Sequence, residues 1–404
     1  MPQAASGIII QMSLGLYISV PFCKTKCSYC NFASDVFSRA VFEKYTVRLC
    51  SEIVQAAETA HHMGGVLQPT VDSIYLGGGT PTLLNVTQLE YIFVTIRQNF
   101  TVLPSAEITV ECAPGTLSPS VIESLQGCGV NRVSLGVQSF DDHESASVGR
   151  LHKRLTVIDD IERLRSAGIA NINVDLIAGL PHQTLESWHT SLDQLISLAV
   201  PHASIYMLEV DEDSRLGREL IAGGQKYHAH FVPDEDLTAD MYEIAGERLS
   251  AAGIAQYEIS NFARTGFESR HNLKYWTRQP YLGFGVDAHS MLRSHNGESA
   301  VRFSNPDSLE KYLSDTGKEH TPVSGECALQ EAFFLGLRLN RGVDLRDLID
   351  EFGENSIATY NDIISELTSA GFLEEAASTI RLTSKGRMLS NEVFERFISV
   401  DLAV

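Results

Sequence analysis

Three cysteines, Cys23, Cys27 and Cys30, lie close together at a C-x3-C-x2-C spacing. They follow Leu16–Pro21, an apolar and β-branched run that predicts a buried strand. A loop that leaves the end of such a strand can turn all three thiols toward one point, whereas a strand would send alternate side chains to opposite faces. The spacing therefore predicts a metal centre held by thiolates.

The number of ligands separates the candidate centres. A structural zinc site takes four protein ligands, and the histidine nearest to the cysteines is His61. A disulfide framework calls for an even number of cysteines in a secreted chain, whereas this sequence has seven. Three thiolates fit an iron–sulfur cluster in which one iron has no protein ligand. A zinc knuckle without its full ligand set, or three loop cysteines with no common role, are the simpler alternatives.

The composition is that of an ordinary globular protein of 404 residues, 44% of them hydrophobic and 20% charged. The net charge of −20 argues against a nucleic-acid-binding surface, which needs a clustered basic face, and leaves at most peripheral contact with a membrane. The apolar run Ile8–Ile10 is too short for a secretory leader or a membrane span. We therefore expect a cytoplasmic protein with reduced thiols. The remaining cysteines, which we interpret as small buried residues, are Cys50, Cys112, Cys128 and Cys327.

Strands alternate with amphipathic helices along the first half of the chain. The predicted strands are Leu16–Pro21, Ser73–Leu76, Glu107–Glu111, Arg132–Gly136, Asn171–Ile177 and Ala203–Leu208. This alternation predicts right-handed crossovers and a parallel sheet. Six units are two short of a closed eightfold barrel, so we expect an α/β fold with an open, partial (β/α)6 barrel over residues 1–210.

Unusual residues fall at the C-terminal ends of these strands, where barrels of this kind carry their reactive groups. Besides the cysteines they are Gly77–Gly79 after the second strand, Glu111, Gln138 and Asp175. The sequence therefore predicts one site along a single rim.

Two further regions are predicted beyond the barrel. Residues 211–325 carry helices and loops dense in His, Asn, Tyr and Trp. Residues 326–404 are mostly helical, with a strand hairpin near Phe372–Leu382, and resemble a winged-helix module. Because its end is acidic, we expect this module to pack or to contact a partner rather than to bind DNA.

The cysteine spacing after a strand resembles the radical S-adenosylmethionine (SAM) superfamily, in which three thiolates hold a [4Fe-4S] cluster and SAM chelates the open iron. Gly77-Gly-Gly-Thr-Pro81 lacks the Lys-Ser/Thr ending of a phosphate-binding loop, and alone it is compatible with a generic tight turn. In this context it is similar to the superfamily's glycine-rich turn, whose carbonyl groups accept hydrogen bonds from the SAM amino group. Glycine lets the backbone approach such a ligand.

Segments along nearly the whole chain resemble the oxygen-independent coproporphyrinogen dehydrogenase family. They include Y-I-S-V-P-F-C from Tyr17, E-I-T-V-E-C-A-P-G from Glu107, L-G-V-Q-S-F from Leu135, D-L-I-A-G-L-P from Asp175 and Y-E-I-S-N-F from Tyr257. The resemblance implies that a first SAM would touch Tyr17, Gly78, Glu111 and Ala288. A second SAM position, known in the dehydrogenase branch, would be lined by Tyr29, Gly79, Thr80, Gln138, Arg150 and Asp175.

The family has two branches with different chemistry. The dehydrogenase branch has a further cysteine two residues after the third, where this chain has Phe32. The haem chaperone branch carries an H-N-x-x-Y-W signature, which His271–Trp276 matches. The resemblance implies that haem contacts His271, Asn272, Tyr275 and Trp276, with the imidazole as axial ligand and the rings as a flat apolar surface. A helix-capping His271 and a core Trp276 are the structural alternative, and His289 is a second candidate ligand.

We therefore predict a cytoplasmic haem chaperone on a radical SAM scaffold, with a [4Fe-4S] cluster, SAM and haem as cofactors and an unidentified haem-acceptor protein as partner. Cleavage of SAM would require an electron donor such as a flavodoxin or ferredoxin. The alternative is an enzyme that oxidatively decarboxylates coproporphyrinogen III, and another radical SAM reaction has little specific support.

Overall fold

A computed structural model of the chain describes residues 13–295, 300–315 and 317–398. Its centre is a twelve-stranded sheet built around six parallel strands from the first half of the chain. These are β1 (Leu14–Val20), β2 (Thr70–Gly78), β3 (Thr101–Cys112), β4 (Arg132–Gln138), β5 (Asn171–Ala178) and β6 (His202–Met207). Each pairs in parallel with the next, and the sheet stays open, so the predicted partial barrel is confirmed.

Helices connect these strands. They are α1 (Arg39–Val54), α2 (Ala56–His62), α3 (Val86–Asn99), α4 (Pro119–Gly127), α5 (Asp142–Ser147), α6 (Arg154–Ser166) and α7 (Leu185–Ser197). Alternate strand residues such as Leu16, Ile74 and Leu135 belong to the main hydrophobic core. The residues between them, such as Ser134 and Asn173, are polar and bond to one another across the strands. Because strand side chains alternate, one face builds the core and the other lines a polar lumen.

Residues 211–325 extend both edges of this sheet, although we predicted only helices and loops there. The helices are α8 (Arg215–Ala222), α9 (Glu235–Ala251), α10 (Arg270–Trp276) and α11 (Leu309–Leu313). The strands are β7 (Ala255–Gln256), β8 (Asn261–Ala263), β9 (Tyr281–Gly285), β10 (His289–Arg293), β11 (Ala300–Ser304) and β12 (Glu319–Val323). β8 pairs antiparallel with β6, while β9 pairs parallel with β1 and is followed by antiparallel β10, β11 and β12.

Glycine hides the strand pattern of β9. A Cβ atom at Gly283 would collide with the backbone of His289, and one at Gly285 would collide with the carbonyl group of Ser19. Glycine is therefore required by close backbone approach, and it interrupts the run of apolar side chains that would signal a strand. The division at residues 210 and 325 remains a prediction, and the main core includes Phe262 from the middle region.

The chain beyond residue 325 forms a mostly helical module, as predicted, and its small sheet has three strands rather than only the predicted hairpin. Its elements are α12 (Gly325–Gly336), β13 (Val343–Asp344), α13 (Leu345–Phe352), α14 (Glu354–Ala358), α15 (Asn361–Ser369), β14 (Leu373–Ala376), β15 (Thr379–Leu382), α16 (Ser384–Met388) and α17 (Ser390–Glu395). The hairpin β14–β15 lies where the sequence predicted it. The module has its own core, which includes Phe333, Ile380 and Phe397. Across the described ranges, no helix combines the length and the apolar character needed to cross a bilayer.

Candidate functional site

A cavity of about 1040 Å³ opens at the C-terminal ends of the barrel strands. This volume is at the upper end of the range of about 300–1,000 Å³ that is usual for small-molecule sites. Most of the predicted site residues line it, namely Cys23, Cys27, Tyr29, Cys30, Gly78, Gly79, Thr80, Glu111, Gln138, Arg150 and Asp175. The structure thus brings residues from five successive βα units to one place, as the rim argument predicted.

The cysteine loop is held by backbone hydrogen bonds on more than one side. The N–H of Cys23 donates to the carbonyl of Asp35 at 3.0 Å, and the N–H of Ser28 donates to that of Val148 at 3.1 Å. The carbonyl of Ser28 accepts a bond from Leu216 at 2.8 Å. All three cysteines are free and partly exposed. Burial raises the pKa of the Cys23 thiol, so a bound cation would be needed to favour its thiolate.

The donor set of this loop suits a cluster better than a single ion. Within the described ranges, no group of three or more His, Cys, Asp or Glu side chains is gathered tightly enough to enclose one metal ion. A [4Fe-4S] cluster is larger than one ion and binds each thiolate at a separate iron, so its ligands stand further apart. Three thiols without a fourth protein ligand fit that arrangement.

The glycine turn after β2 packs directly against the start of the cysteine loop. The N–H of Gly79 donates to the carbonyl of Val20 at 2.8 Å, and Gly78 has a φ of 96°, in the left-handed region. A Cβ atom on Gly79 would lie 2.6 Å from the carbonyl oxygen of Phe22. Glycine is therefore required here by contact with the end of β1 and the start of the cysteine loop, and the turn exposes backbone rather than side chain to the cavity.

Two carboxylates on inward-facing strand positions are held in fixed orientations. Glu111 accepts hydrogen bonds from the hydroxyl of Tyr75 at 2.7 Å and from the N–H of Gly78 at 3.1 Å. Burial raises the pKa of Glu111 to about 7 in spite of both bonds. Asp175 accepts bonds from Asn173 at 2.7 Å and Ser134 at 3.1 Å, and burial raises its pKa as well. Each carboxylate retains lone pairs for the hydroxyl groups of a ligand.

Gln138 and Arg150 have buried polar atoms that no group in the described structure bonds, namely Oε1 and Nε. Another nitrogen of Arg150 donates to the hydroxyl of Tyr29 at 3.0 Å. Gln138 also adopts a φ of 72°, which is uncommon outside glycine. Buried polar groups without partners are costly, and backbone strain concentrates at functional sites. A polar ligand in the cavity would supply the missing bonds, so these residues fit SAM.

Tyr17 lies in a second, smaller cavity of about 280 Å³. Its other walls include the aromatic or ring-bearing side chains of Phe32, Tyr275, Tyr281 and His289. Phe32 and Gly78 line both cavities. Ala288 is buried and lines neither. Tyr17 and Ala288 therefore do not line the large cavity with the other predicted SAM contacts. Gly78 lines both cavities and so connects them.

The H-N-x-x-Y-W segment forms α10, which lies against the early residues of β1, β2 and β3. His271 is only 1% exposed, and its Nδ1 lies 2.9 Å from the hydroxyl oxygen of Ser73. Its Nε2 lies 2.9 Å from the hydroxyl oxygen of Tyr275. Burial lowers the pKa of His271 to about 3, so the ring is neutral. Both ring nitrogens are engaged within the protein, and haem ligation by His271 stays a prediction that requires this helix to move.

The other predicted haem residues lie in different surroundings. The backbone N–H of Asn272 donates to the hydroxyl of Ser269, the residue that caps α10, at 3.3 Å. The ring of Trp276 is covered by the guanidinium of Arg338, whose carbon lies 4.3 Å from the ring centroid. His289 is exposed, with Nε2 3.8 Å from the carboxylate of Asp287. Tyr275 and His289 thus both line the smaller cavity, whereas Trp276 and His271, which bonds to Tyr275, do not line it.

Sequence reasoning missed one wall of the large cavity. That wall comes from the C-terminal module and includes Arg338, Arg387 and residues 388–392. No local pattern indicates which helix of the module faces the barrel, because that depends on contacts between distant segments. Of the cysteines outside the loop, Cys50, Cys112 and Cys128 are buried as predicted, whereas Cys327 is half-buried.

Comparison with known proteins agrees with this architecture. Residues 17–195 match the radical SAM superfamily, and residues 323–389 match the HemN C-terminal domain. The heme chaperone HemW of Bacillus subtilis is 34% identical, with 95% of this chain and 98% of the relative covered. The heme chaperone HemW of Lactococcus lactis is 33% identical, with 98% of this chain and 100% of the relative covered.

Among solved structures, coproporphyrinogen III oxidase (HemN) from Escherichia coli, a radical SAM enzyme, superposes with a TM-score of 0.81. The superposition covers 96% of this chain and 90% of that one at 23% identity, which shows a shared fold. Together with the full-length relatives, it leads to one conclusion: the chain belongs to the HemW family of the radical SAM superfamily.

Proposed function

We propose that this protein is a cytoplasmic haem chaperone, which binds haem and transfers it to an acceptor protein. The observation that carries the proposal is the similarity to heme chaperones along at least 95% of the chain. It extends from the barrel through the H-N-x-x-Y-W helix to the C-terminal module. The acceptor is expected to be a haem-requiring protein that presents its own iron ligand.

The large cavity has the groups that a cluster and SAM require. The three loop cysteines would hold a [4Fe-4S] cluster, which supplies an open iron for SAM and an electron for its cleavage. Glu111 and Asp175 would accept hydrogen bonds from ribose hydroxyls, and Arg150 would clamp a carboxylate bidentately. Gln138 would gain a partner for its unpaired Oε1. If SAM is cleaved, a flavodoxin or ferredoxin is the expected electron donor.

The smaller cavity is better placed than the buried motif to make the first contact with haem. His289 presents an exposed imidazole beside Tyr275 and Tyr281, and Phe32 is 65% exposed at the same place. A volume of about 280 Å³ does not enclose a porphyrin, so haem would remain open to solvent on one side. An open site suits a carrier, because an acceptor can then reach the iron. His271 becomes a ligand only if α10 moves.

Haem titration of the anaerobically reconstituted protein tests this site. A Soret band should appear, and His289→Ala should shift or weaken it, because that imidazole needs no rearrangement to reach the iron. His62→Ala is the matched control, since His62 is exposed on α2. A band altered by His271→Ala but not by His289→Ala would assign the iron to the motif instead. A band that neither substitution alters would remove both histidines from the site.

The competing function is oxidative decarboxylation of coproporphyrinogen III. The fold shared with HemN is the reason to consider it. Phe32 stands where the dehydrogenase branch has a further cysteine. The reconstituted protein should therefore leave coproporphyrinogen III unchanged when supplied with SAM and a reductant under anaerobic conditions. Accumulation of protoporphyrinogen IX would contradict the chaperone assignment.

A further inference from the structure

Three histidines from three separate segments of the chain meet at the barrel rim, outside both cavities. His143 lies in α5, His182 follows β5, and His228 lies between α8 and α9. Nε2 of His182 lies 3.0 Å from Nδ1 of His228. The ring centroids of His143 and His182 are 4.6 Å apart. We call these residues the histidine triplet, and the proposed function does not use them.

The fold fixes the backbone at each member of the triplet. The N–H of His182 donates to the carbonyl of Phe231 at 2.9 Å, which ties the β5 loop to the segment after β6. The carboxylate of Glu219 accepts backbone N–H bonds from the residues on both sides of His228, at 2.8–3.2 Å. The N–H of His143 donates to the carboxylate of Asp141 at 2.8 Å. The three loops are therefore positioned before any ligand arrives.

Two members of the triplet hold a strained backbone conformation. His182 has a φ of 69° and His228 a φ of 61°, both in the left-handed region. Such conformations cost free energy in residues other than glycine, and they persist where the surroundings enforce them.

We propose that the histidine triplet binds a divalent first-row transition-metal ion of the zinc class. Two nitrogens bound to one tetrahedral ion at about 2.0–2.1 Å each lie about 3.3–3.4 Å apart. The nitrogens of His182 and His228 lie 3.0 Å apart in a ring-to-ring hydrogen bond, so they would have to move apart by only a few tenths of an ångström. Binding would require the donor ring of this pair to change tautomer, so that its hydrogen moves to its other ring nitrogen and the ion takes the freed lone pair.

Within the described ranges, no group of three or more His, Cys, Asp or Glu side chains is already arranged around one ion, so the triplet has to rearrange to bind one. His143 is exposed, so its ring can turn about its side-chain torsions to bring a third nitrogen to the ion. Imidazole is a preferred ligand of zinc, copper and nickel. The iron of a haem takes only one imidazole on each face of the porphyrin, so the adjacent pair suits a free ion better.

The ion would act on a segment that also contacts the cysteine loop. Residues 211–231 connect the triplet with that loop, because Asn31 bonds to Asp211 at 3.1 Å and Leu216 bonds to Ser28 at 2.8 Å. An ion at the triplet would join this segment to the loops after β4 and β5. Binding would therefore reduce the local unfolding of residues 211–231.

The test is calorimetric titration of Zn²⁺ into the full-length protein with its cluster reconstituted, so that the loop thiols are already engaged. His182→Asn and His228→Asn are the test variants, because asparagine tolerates the left-handed backbone without supplying imidazole. Each should weaken Zn²⁺ binding at least tenfold, His143→Ala should weaken it less, and His62→Ala should leave it unchanged. Iron content and circular dichroism verify that each variant is folded.

Hydrogen exchange gives a second measurement: Zn²⁺ should protect residues 211–231 in the unaltered protein but not in His182→Asn. Equal Zn²⁺ affinity in all variants, or no Zn²⁺ binding at micromolar concentration, would overturn the proposal. So would a variant that loses haem affinity while its Zn²⁺ affinity is unchanged, since the triplet would then be a haem contact. The proposal does not depend on the chaperone function, because Zn²⁺ binding is measured without haem.

Discussion

The two ends of the barrel lumen both carry buried polar side chains, but they differ in how fully those side chains are bonded. At the C-terminal rim, Gln138 and Arg150 have buried atoms without a partner among the residues that the structure describes. At the other end, both ring nitrogens of His271 are bonded. There Lys274 donates to the carbonyl of Ser13 and pairs with Asp72, both at 2.8 Å. Nε1 of Trp276 in α10 also lacks a partner among the described residues, but the unbonded atoms at the rim belong to residues that line a cavity, which a ligand can fill. Substitutions at the rim should therefore change ligand binding, and those at the opposite end should change stability.

The largest effect should follow loss of a loop thiol. Cys27→Ser should lose essentially all of the iron and labile sulfide of the reconstituted protein, because a cluster with one open iron needs all three thiolates. The fold should remain intact, since Cys27 lies on a partly exposed loop. Cys327→Ser is the control and should retain iron. Full iron content in Cys27→Ser would contradict the proposed cluster.

At the saturated end, His271→Ala should lower the free energy of unfolding by about 3 kcal/mol, because it leaves a cavity and two unpaired hydroxyl groups. Urea denaturation of this variant and of His62→Ala measures the difference, and the exposed control should change by less than about 0.5 kcal/mol. The variant's SAM affinity should stay within a few-fold of the unaltered protein. If His271→Ala kept its stability but lost SAM binding, His271 would belong to the ligand site and not to the part of the structure that stabilises the fold.

At the unsaturated rim, Arg150→Met should weaken SAM binding roughly 10- to 100-fold, since hydrogen bonds to charged groups contribute about 1.5–3 kcal/mol. Equilibrium dialysis with the reconstituted protein measures the affinity. Arg154→Met is the matched control, because Arg154 is exposed at the start of α6. If both variants bind SAM equally well, Arg150 does not contact the carboxylate.

The smallest effect concerns the pH dependence of Glu111. Its pKa of about 7 lies above the ordinary value, so the carboxyl contributes stability at low pH that is lost as pH rises through 7. SAM affinity should show the opposite trend and rise with pH. The ionised Glu111 carboxylate accepts hydrogen bonds from the ribose hydroxyl groups and attracts the positive charge of SAM. The ionised fraction rises about tenfold between pH 6 and 8 for a pKa of about 7. SAM affinity should follow this rise in the unaltered protein and not in Glu111→Gln. The same slope in both proteins would assign the titration to another group.

The sequence predicted the rim well because parallel strands bring their C-terminal ends to one edge. Once six strands are placed, Glu111, Gln138 and Asp175 must lie near the cysteine loop. The surroundings of His271 could not be predicted in this way. Its partner Ser73 is 198 positions away, and no local pattern shows that α10 packs against the early part of β2. The histidine triplet escaped notice for the same reason, since its members belong to separate loops.

One side chain belongs to two environments at once. Arg338 lines the large cavity and also stacks on Trp276, whose ring is part of the H-N-x-x-Y-W helix. A single guanidinium cannot neutralise an anionic ligand in the cavity and cover the indole equally well. Movement of the guanidinium toward an anionic ligand would therefore uncover the indole of Trp276. Such a ligand would also have to draw the guanidinium away from the buried carboxylate of Glu258, which lies 3.9 Å from it.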